Sequence, residues 1–424
     1  MLGSRAKIAL KRAENILHEY PRAFWVLIGG TFIDRLGTNL IMPFLAIYVA
    51  QRFHVGTTQI GLIFTIFALS GAVGNILAGA LADRFGRRTL LILGLICAAS
   101  ARVMMGIVIN VEGLYLFAVF AGFFGAVSGP AQMAMVADIL PAQKRADGFG
   151  IQRVVNNVTW IMGPLLGAVL GQAMGYLSLF ILDAVTSYMM AYMVYRLLVE
   201  TNPKREPSKR AESIGTTLVG YRHVVSDGYF MGFVLVSMLM MFAYIQMYAP
   251  LSIYIVQVQG FPASFYSGLL MLNAMVVVVL QLPFTRWSSK QPPNLIMIAA
   301  SVLFLIGLTA YGLGNNPTLY ILAMGLITFG EMFSMPTSQA LGTELAPENM
   351  RARYVAVMNI FTWTLPQAFG PLLSGIIMDR LDARWVWYGS GILCAISIVG
   401  FYLLHSRSMS LDVVTLSNEE FPAA

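Results

Sequence analysis

Five ionisable side chains stand inside long apolar stretches of this sequence: Asp34, Arg35, Arg102, Asp183 and Glu331. A charge surrounded by hydrocarbon costs several kcal/mol, so each such group is a candidate for function. A desolvated carboxyl group holds a proton more readily, and once ionised it attracts a cation. Asp34 lies about eleven residues into its apolar run, roughly 16 Å at 1.5 Å per helical residue. Glu331 lies about thirteen residues into its own run, entered from the opposite side, and reaches a similar depth. Asp34 and Glu331, with Arg35 beside the first, are therefore candidates for proton or substrate coupling. Neighbours in a helix point about 100° apart. Arg35 shares a face with Asn39 and Asp34 shares one with Thr38, so one of the pair turns inward and the other meets a neighbouring helix. Arg102 and Asp183 read as packing partners. Asp138, Arg153 and Glu344 lie near the ends of their runs.

The elements that must position these groups are membrane spans. The chain is 58% hydrophobic and 11% charged, with a mean hydropathy of +0.72, far from soluble composition. A spanning helix needs about 20 apolar residues, because lipid offers no partner to backbone N–H and C=O groups. Apolar runs fall at 24–49, 58–82, 89–109, 113–137, 149–172, 177–198, 229–253, 264–285, 294–313, 318–341, 353–378 and 385–405. Twelve spans put both termini on one side. Outside the spans, every Lys and Arg falls on that side except Arg52, Arg380 and Arg384. This bias marks the side as cytoplasmic, and it explains the net charge of +7 without a nucleic-acid partner. The basic, amphipathic residues 1–22 read as a cytoplasmic helix on the membrane surface. Cys97 and Cys394 both lie in apolar runs, and no metal cluster, nucleotide loop or nucleophile constellation appears. The chain is expected to need no cofactor, to perform no enzymatic reaction and to draw energy from a gradient.

The two halves of the chain repeat. SGPAQMAMVADILPAQKRADG (Ser128–Gly148) and SMPTSQALGTELAPENMRARY (Ser334–Tyr354) align at an offset of 206, matching Pro130 with Pro336, Asp138 with Glu344 and Arg145 with Arg351. MGPLLGAVLG and FGPLLSGIIMD align at an offset of 207. The polar stretch Glu200–Thr217 separates the copies. The implied organisation is a six-helix bundle over 23–199, a cytoplasmic loop over 200–227, a second bundle over 228–406 and a cytoplasmic tail over 407–424. Duplicated six-span halves are a sign of a transporter with its site between repeats.

Between spans two and three the chain reads GALADRFGRRTL, Gly79–Leu90. An ordinary basic loop accounts for its arginines but not for the ordered G-x-L-A-D-R-x-G-R-R spacing. In this loop the sequence resembles the major facilitator superfamily, and twelve spans, the central loop and the duplicated halves extend the likeness over the whole chain. The resemblance implies an all-α membrane protein with twelve transmembrane helices in two pseudo-symmetric six-helix bundles. It also implies that Gly79, Asp83, Arg84, Gly86, Arg87 and Arg88 form a charge network latching the halves. Asp138 and Arg145, with their repeats Glu344 and Arg351, are candidates for the same latch as helix-end pairs. LGTNLIMP (Leu36–Pro43) and the span-five residues Gly163, Pro164 and Gly167 are similar to motifs of the drug/proton antiporter branch. That branch's span-four arginine is absent from AVFAGFFGA (Ala118–Ala126), which moves the cation's role to Arg35 or Arg102.

By this resemblance spans one, four, seven and ten surround a cavity that Asp34 and Glu331 can face. Asn39, Gln246, Tyr248, Asn273, Gln281, Asn359 and Trp363 are the candidates for its walls. The expected protein is a monomer in the plasma (inner) membrane that exports amphipathic or cationic small molecules in exchange for protons. Two alternatives stay open. T-F-I-D-R (Thr31–Arg35) keeps the acidic–arginine end of a motif similar to that of proton-coupled peptide symporters. A membrane sensor that transports nothing is the other.

Overall fold

A computed structural model describes residues 19–141, 144–201, 222–347 and 350–420. Among them, twelve helices are long and apolar enough to cross a membrane. They are α1 (Arg22–Phe53), α2 (Thr57–Phe85), α3 (Arg87–Ile107), α4 (Val111–Ile139), α5 (Arg145–Met174), α6 (Tyr176–Leu197), α7 (Gly228–Val258), α8 (Ala263–Ser288), α9 (Pro293–Gly312), α10 (Pro317–Glu344), α11 (Arg353–Arg380) and α12 (Trp385–Glu420). Each begins within a few residues of an apolar run read from the sequence. The amphipathic residues 1–18, residues 202–221 of the central loop and residues 421–424 lie outside the described set.

Two helices are interrupted beside a proline. Pro43 sits in a 3-10 turn, Met42–Phe44, within α1. Pro250 follows a second such turn, Ile245–Met247, after which Tyr248 leaves the helical region at ψ −110°. A proline lacks the N–H that an α-helix would use and its ring crowds the preceding turn. The two prolines are 207 residues apart, the offset of the later repeat motif. One-turn π segments at Tyr254–Val258 and Ile360–Thr364 reset the faces of α7 and α11.

The chain forms two compact units. One contains the described residues up to Tyr48 and from Ile66 to the end of α6, and the other contains Val49–Thr65 and everything from α7 onward. In the first unit α3 packs on α4 and α6, and α1 packs on α5 and α6. In the second, α9 packs on α10 and α12, and α7 packs on α12 and α11. The pairs correspond one for one. The first core centres on Phe24, Leu27, Leu91, Met135 and Val136. The second is more aromatic, with Phe230, Tyr254, Tyr311, Tyr320 and Trp387 fully buried. Outward faces remain apolar, as at Ile76 and Val169, which suits a surrounding lipid phase.

Side chains cap several helix starts. Asp227 accepts the Phe230 N–H at 3.0 Å with Oδ1, and the Tyr354 hydroxyl donates to its Oδ2 at 3.0 Å. Asp227 thus closes α7 and ties it to α11. Asp227→Ala is expected to lower stability by about 1–2 kcal/mol, seen as a reduced Tm of the purified protein. Tyr354→Phe, which keeps the cap, should lose less.

Candidate functional site

Glu331 lies in the middle of α10, and its surroundings come from three helices. Asn273 on α8 donates through Nδ2 to Glu331 Oε2 at 2.8 Å and to Thr328 Oγ1 at 3.1 Å. Thr328, one turn before Glu331 on the same face, donates onward to the Met324 carbonyl. Tyr244 on α7 lies beside the same carboxyl, and its hydroxyl is 3.1 Å from that of Tyr248. Tyr266 Oη donates to the Tyr248 carbonyl at 3.1 Å. Every group around the carboxyl is neutral, and no cation pairs with Glu331 among the described residues.

The repeat shows what is special about this cluster. At the offset of 206, Asn273, Thr328 and Glu331 correspond to Phe67, Gly122 and Gly125. In the first unit Gly122 lets α4 close on α2, since a Cβ there would lie 2.3 Å from the Phe67 carbonyl oxygen. The second unit places hydrogen-bonding side chains where the first has glycine contact.

The first unit carries its own polar cluster. Asp34 Oδ1 accepts from Ser187 Oγ on α6 at 2.7 Å. Ser187 in turn accepts from Arg102 Nη2 on α3 at 3.1 Å. Arg102 Nε donates to Asp183 Oδ2, and Thr38 Oγ1 donates to Asp183 Oδ1 at 3.0 Å. Arg102 and Asp183 are both buried and form an ion pair. Asp34 thus meets the α6 neighbour, whereas half-buried Arg35 forms no ion pair with a described carboxylate.

The amides foreseen as cavity walls divide. Asn39 and Gln246 are each 5% exposed and correspond at the offset of 207, as do Gly163 and Gly370. Asn39 Nδ2 donates to Thr159 Oγ1 at 3.2 Å on α5. Gln246 accepts from Ser374 Oγ on α11. A Cβ at Gly163 would lie 2.4 Å from Asn39 Cβ, and one at Gly370 would lie 2.5 Å from Ile245 Cγ2. Gly167 meets the Leu40 carbonyl in the same way, and Pro164 is buried beside it. The span-five motif therefore fits α5 against α1, and its repeat fits α11 against α7. Gln281 donates to Thr285 Oγ1 at 2.8 Å, while Asn359 and Trp363 are exposed at the π segment of α11.

At the α2–α3 loop, Gly86 has φ +87°, and a Cβ there would lie 2.4 Å from the Glu200 carboxylate. That carboxylate accepts the N–H groups of Arg87 at 2.9 Å and Arg88 at 3.2 Å, capping α3. Arg87 pairs with Asp138 on α4, and Arg88 donates to the Val194 and Tyr195 carbonyls at the end of α6. Arg84 is exposed. Arg145 donates to the Leu140 carbonyl at 3.3 Å, and Glu344 is exposed without an ion pair among the described residues. Gly79 and Asp83 are helical, but the surroundings of Gly79 and the side-chain positions of Asp83 and Arg351 lie outside the described set.

At the far ends of the helices, Asp379 caps α2. It accepts the Thr57 N–H, the Thr57 hydroxyl and the Thr58 N–H at 2.8, 2.7 and 2.8 Å. Sequence reasoning missed Asp379, Glu200, Ser187 and Tyr244. Only Tyr244 left a signal, one helical turn before Tyr248.

Twelve spanning helices in two repeated units, with ionisable clusters inside them, define a secondary transporter. The model of the Major Facilitator Superfamily matches residues 27–371, and the chain belongs to that family; it is an integral, multi-pass membrane transporter and not an enzyme. It is 24% identical over 383 residues to a Na(+), Li(+), K(+)/H(+) antiporter of Planococcus maritimus, covering 84% of this chain and 89% of that one. It is 23% identical over 381 residues to multidrug resistance protein 1 of Bacillus subtilis, covering 88% and 94%. Its fold matches the nucleoside transporter NupG (D323A mutant) with a TM-score of 0.78 at 14% identity, over 90% of this chain and 100% of that one.

Proposed function

We propose that the protein exports amphipathic or cationic small molecules in exchange for protons, and that Glu331 is the coupling carboxylate. The observation that carries this reading is the environment of Glu331: mid-span, hydrogen-bonded by Asn273 with Tyr244 beside it, and paired with no described cation. An ionised carboxylate there faces neutral donors in a medium of low dielectric constant, so a proton or a cationic substrate relieves it. Competition between the two for one site produces exchange, since each leaves when the other binds. The names of the antiporter and multidrug-resistance relatives support the same direction of transport. The charge bias of the loops supports the plasma (inner) membrane with both termini in the cytoplasm. The Arg87–Asp138 pair and the Glu200 cap serve the cytoplasmic latch, and the transporter works as a monomer.

Everted vesicles test the reading. Addition of an amphipathic cation such as ethidium to energised vesicles should release protons from the lumen and load the dye inside. Dye accumulation by intact cells, or dye movement without proton movement, sinks the export-by-exchange reading.

A further inference from the structure

From Glu331 toward the end of the second unit away from the central loop, tyrosines follow one another through buried space. Tyr320 stands three turns before Glu331 on α10, roughly 16 Å along the helix. Tyr244 lies beside the Glu331 carboxyl, and its hydroxyl is 3.1 Å from that of Tyr248. Tyr266 on α8 reaches the Tyr248 carbonyl at 3.1 Å. Tyr311 on α9 is near both Tyr266 and Tyr320. Tyr320 and Tyr254 are near Arg384, which is exposed and whose N–H donates to the Asp382 carboxylate at 2.8 Å.

The middle of this track is polar and unsatisfied. Tyr254 Oη donates to the Tyr311 carbonyl at 3.1 Å. Tyr311 Oη, Tyr320 Oη and Trp387 Nε1 are buried and have no hydrogen-bond partner among the described residues. The Tyr311 ring centre is 5.2 Å from that of Tyr320 and 5.1 Å from that of Trp387. A buried polar group without a partner is costly, and three in one cluster make the polar setting that an internal water needs. The repeat shows that packing does not require them. Tyr311 and Tyr320 correspond to Met105 and Leu114 at the offset of 206, and Trp387 corresponds to Phe180 at 207. All three counterparts are buried. The edge-on ring pair Tyr254–Trp387 recurs as Tyr48–Phe180. The first unit thus fills this place with apolar atoms, and it has Gly125 in the place of Glu331. Polar groups occupy it only in the unit that carries the carboxylate.

We propose that Tyr311, Tyr320 and Trp387 hold a file of buried water that carries protons between the Arg384–Asp382 surface and Glu331. The role of the file, though not its existence, rests on Glu331 being the coupling carboxylate. A hydroxyl or a water can accept one hydrogen while it donates another. A proton that joins the file at the surface therefore displaces the next along, and the last leaves for the ionised Glu331 carboxylate. Each O–H bond broken is replaced by one formed, so no tyrosine changes charge. Protons then reach Glu331 through the second unit itself, by a path of their own.

X-ray radiolytic labelling of the purified full-length protein tests the water without any substrate, because bound water oxidises the side chain beside it. Tyr311, Tyr320 and Trp387 should be labelled despite their burial, whereas Phe233 and Phe401 of the same core, equally buried, should not. Tyr311→Phe combined with Tyr320→Phe should lose several-fold of the label at Trp387 and should lower the Tm, since the hydrogen bonds to water go with the hydroxyls. In a dry cluster the same variant removes two unpaired polar atoms and gains stability. Absence of label in the wild type, or a raised Tm in the variant, overturns the water file. Everted vesicles test its role, with ethidium as the probe. The double variant should slow uphill accumulation several-fold and leave downhill equilibration unchanged. Full uphill transport in the double variant, where Glu331→Gln has none, overturns the proton route and leaves the coupling role of Glu331 standing. Uphill transport that survives Glu331→Gln removes that role and the route together, and the label alone then decides the water.

Discussion

Glu331→Gln is expected to abolish accumulation against a gradient, by at least tenfold in everted vesicles, while leaving the protein folded. Glutamine has the shape of the protonated acid, and its Oε1 can still accept from Asn273 Nδ2, which lies 2.8 Å from Glu331 Oε2. The variant therefore resembles the proton-loaded state permanently and cannot release a proton to drive the cycle. Downhill equilibration of substrate should persist, because no ionised carboxylate has to cross the low-dielectric interior. The pH profile should separate the two proteins. The wild type responds to an imposed pH difference, and Glu331→Gln should be flat. Asn273→Ala makes the complementary case. It strips the ionised carboxylate of a charge-assisted hydrogen bond, typically about 1.5–3 kcal/mol, and so should shift the wild-type pH profile to higher pH. Unchanged uphill transport in Glu331→Gln would remove the coupling role altogether.

The second large effect concerns the two motif glycines. Gly163→Val and Gly370→Val should each destabilise the protein by about 1–3 kcal/mol, the usual range for overpacking. The upper end is expected at Gly163, where the new Cβ would lie 2.4 Å from Asn39 Cβ and 2.8 Å from the Asn39 carbonyl carbon. A backbone atom cannot rotate away as a side chain can. At Gly370 the first atom met is Ile245 Cγ2 at 2.5 Å, the end of a side chain, so the loss should be smaller. The measurement is the Tm of each purified variant. A Gly163→Val protein as stable as the wild type would mean that α5 does not sit on α1 through this residue.

Much of the fold was legible because its cause is local. A run of about 20 apolar residues has one way to satisfy its backbone in lipid, and every run became a helix. Pro43 and Pro250 stand at breaks in their helices, where each removes an N–H, whereas Pro130, Pro164, Pro283, Pro336 and Pro371 lie inside continuous helices. The internal offset likewise foretold that α1–α5 and α7–α11 would make equivalent contacts. The site was legible in part. Glu331 announced itself by standing in the middle of an apolar run, as did Asp34.

The partners of these groups came only from the tertiary structure. A spanning helix is apolar toward lipid and toward its neighbours alike, so hydrophobic periodicity does not say which face packs on which helix. Nothing in TFIDRLGTN states that Asp34 meets Ser187, 153 residues away, and stands at one remove from Arg102. Asn39 and Gln246 look in sequence like amides available to a ligand, yet both are spent on helix contacts. Asp379 closes the start of α2 from 322 positions along the chain. The sequence by itself determined twelve helices, their duplication and the depth of the charged groups, because these follow from composition and rise per residue. Which charges share a counter-ion, and which stand without one, depends on how the helix faces meet, and only the packed structure decided it.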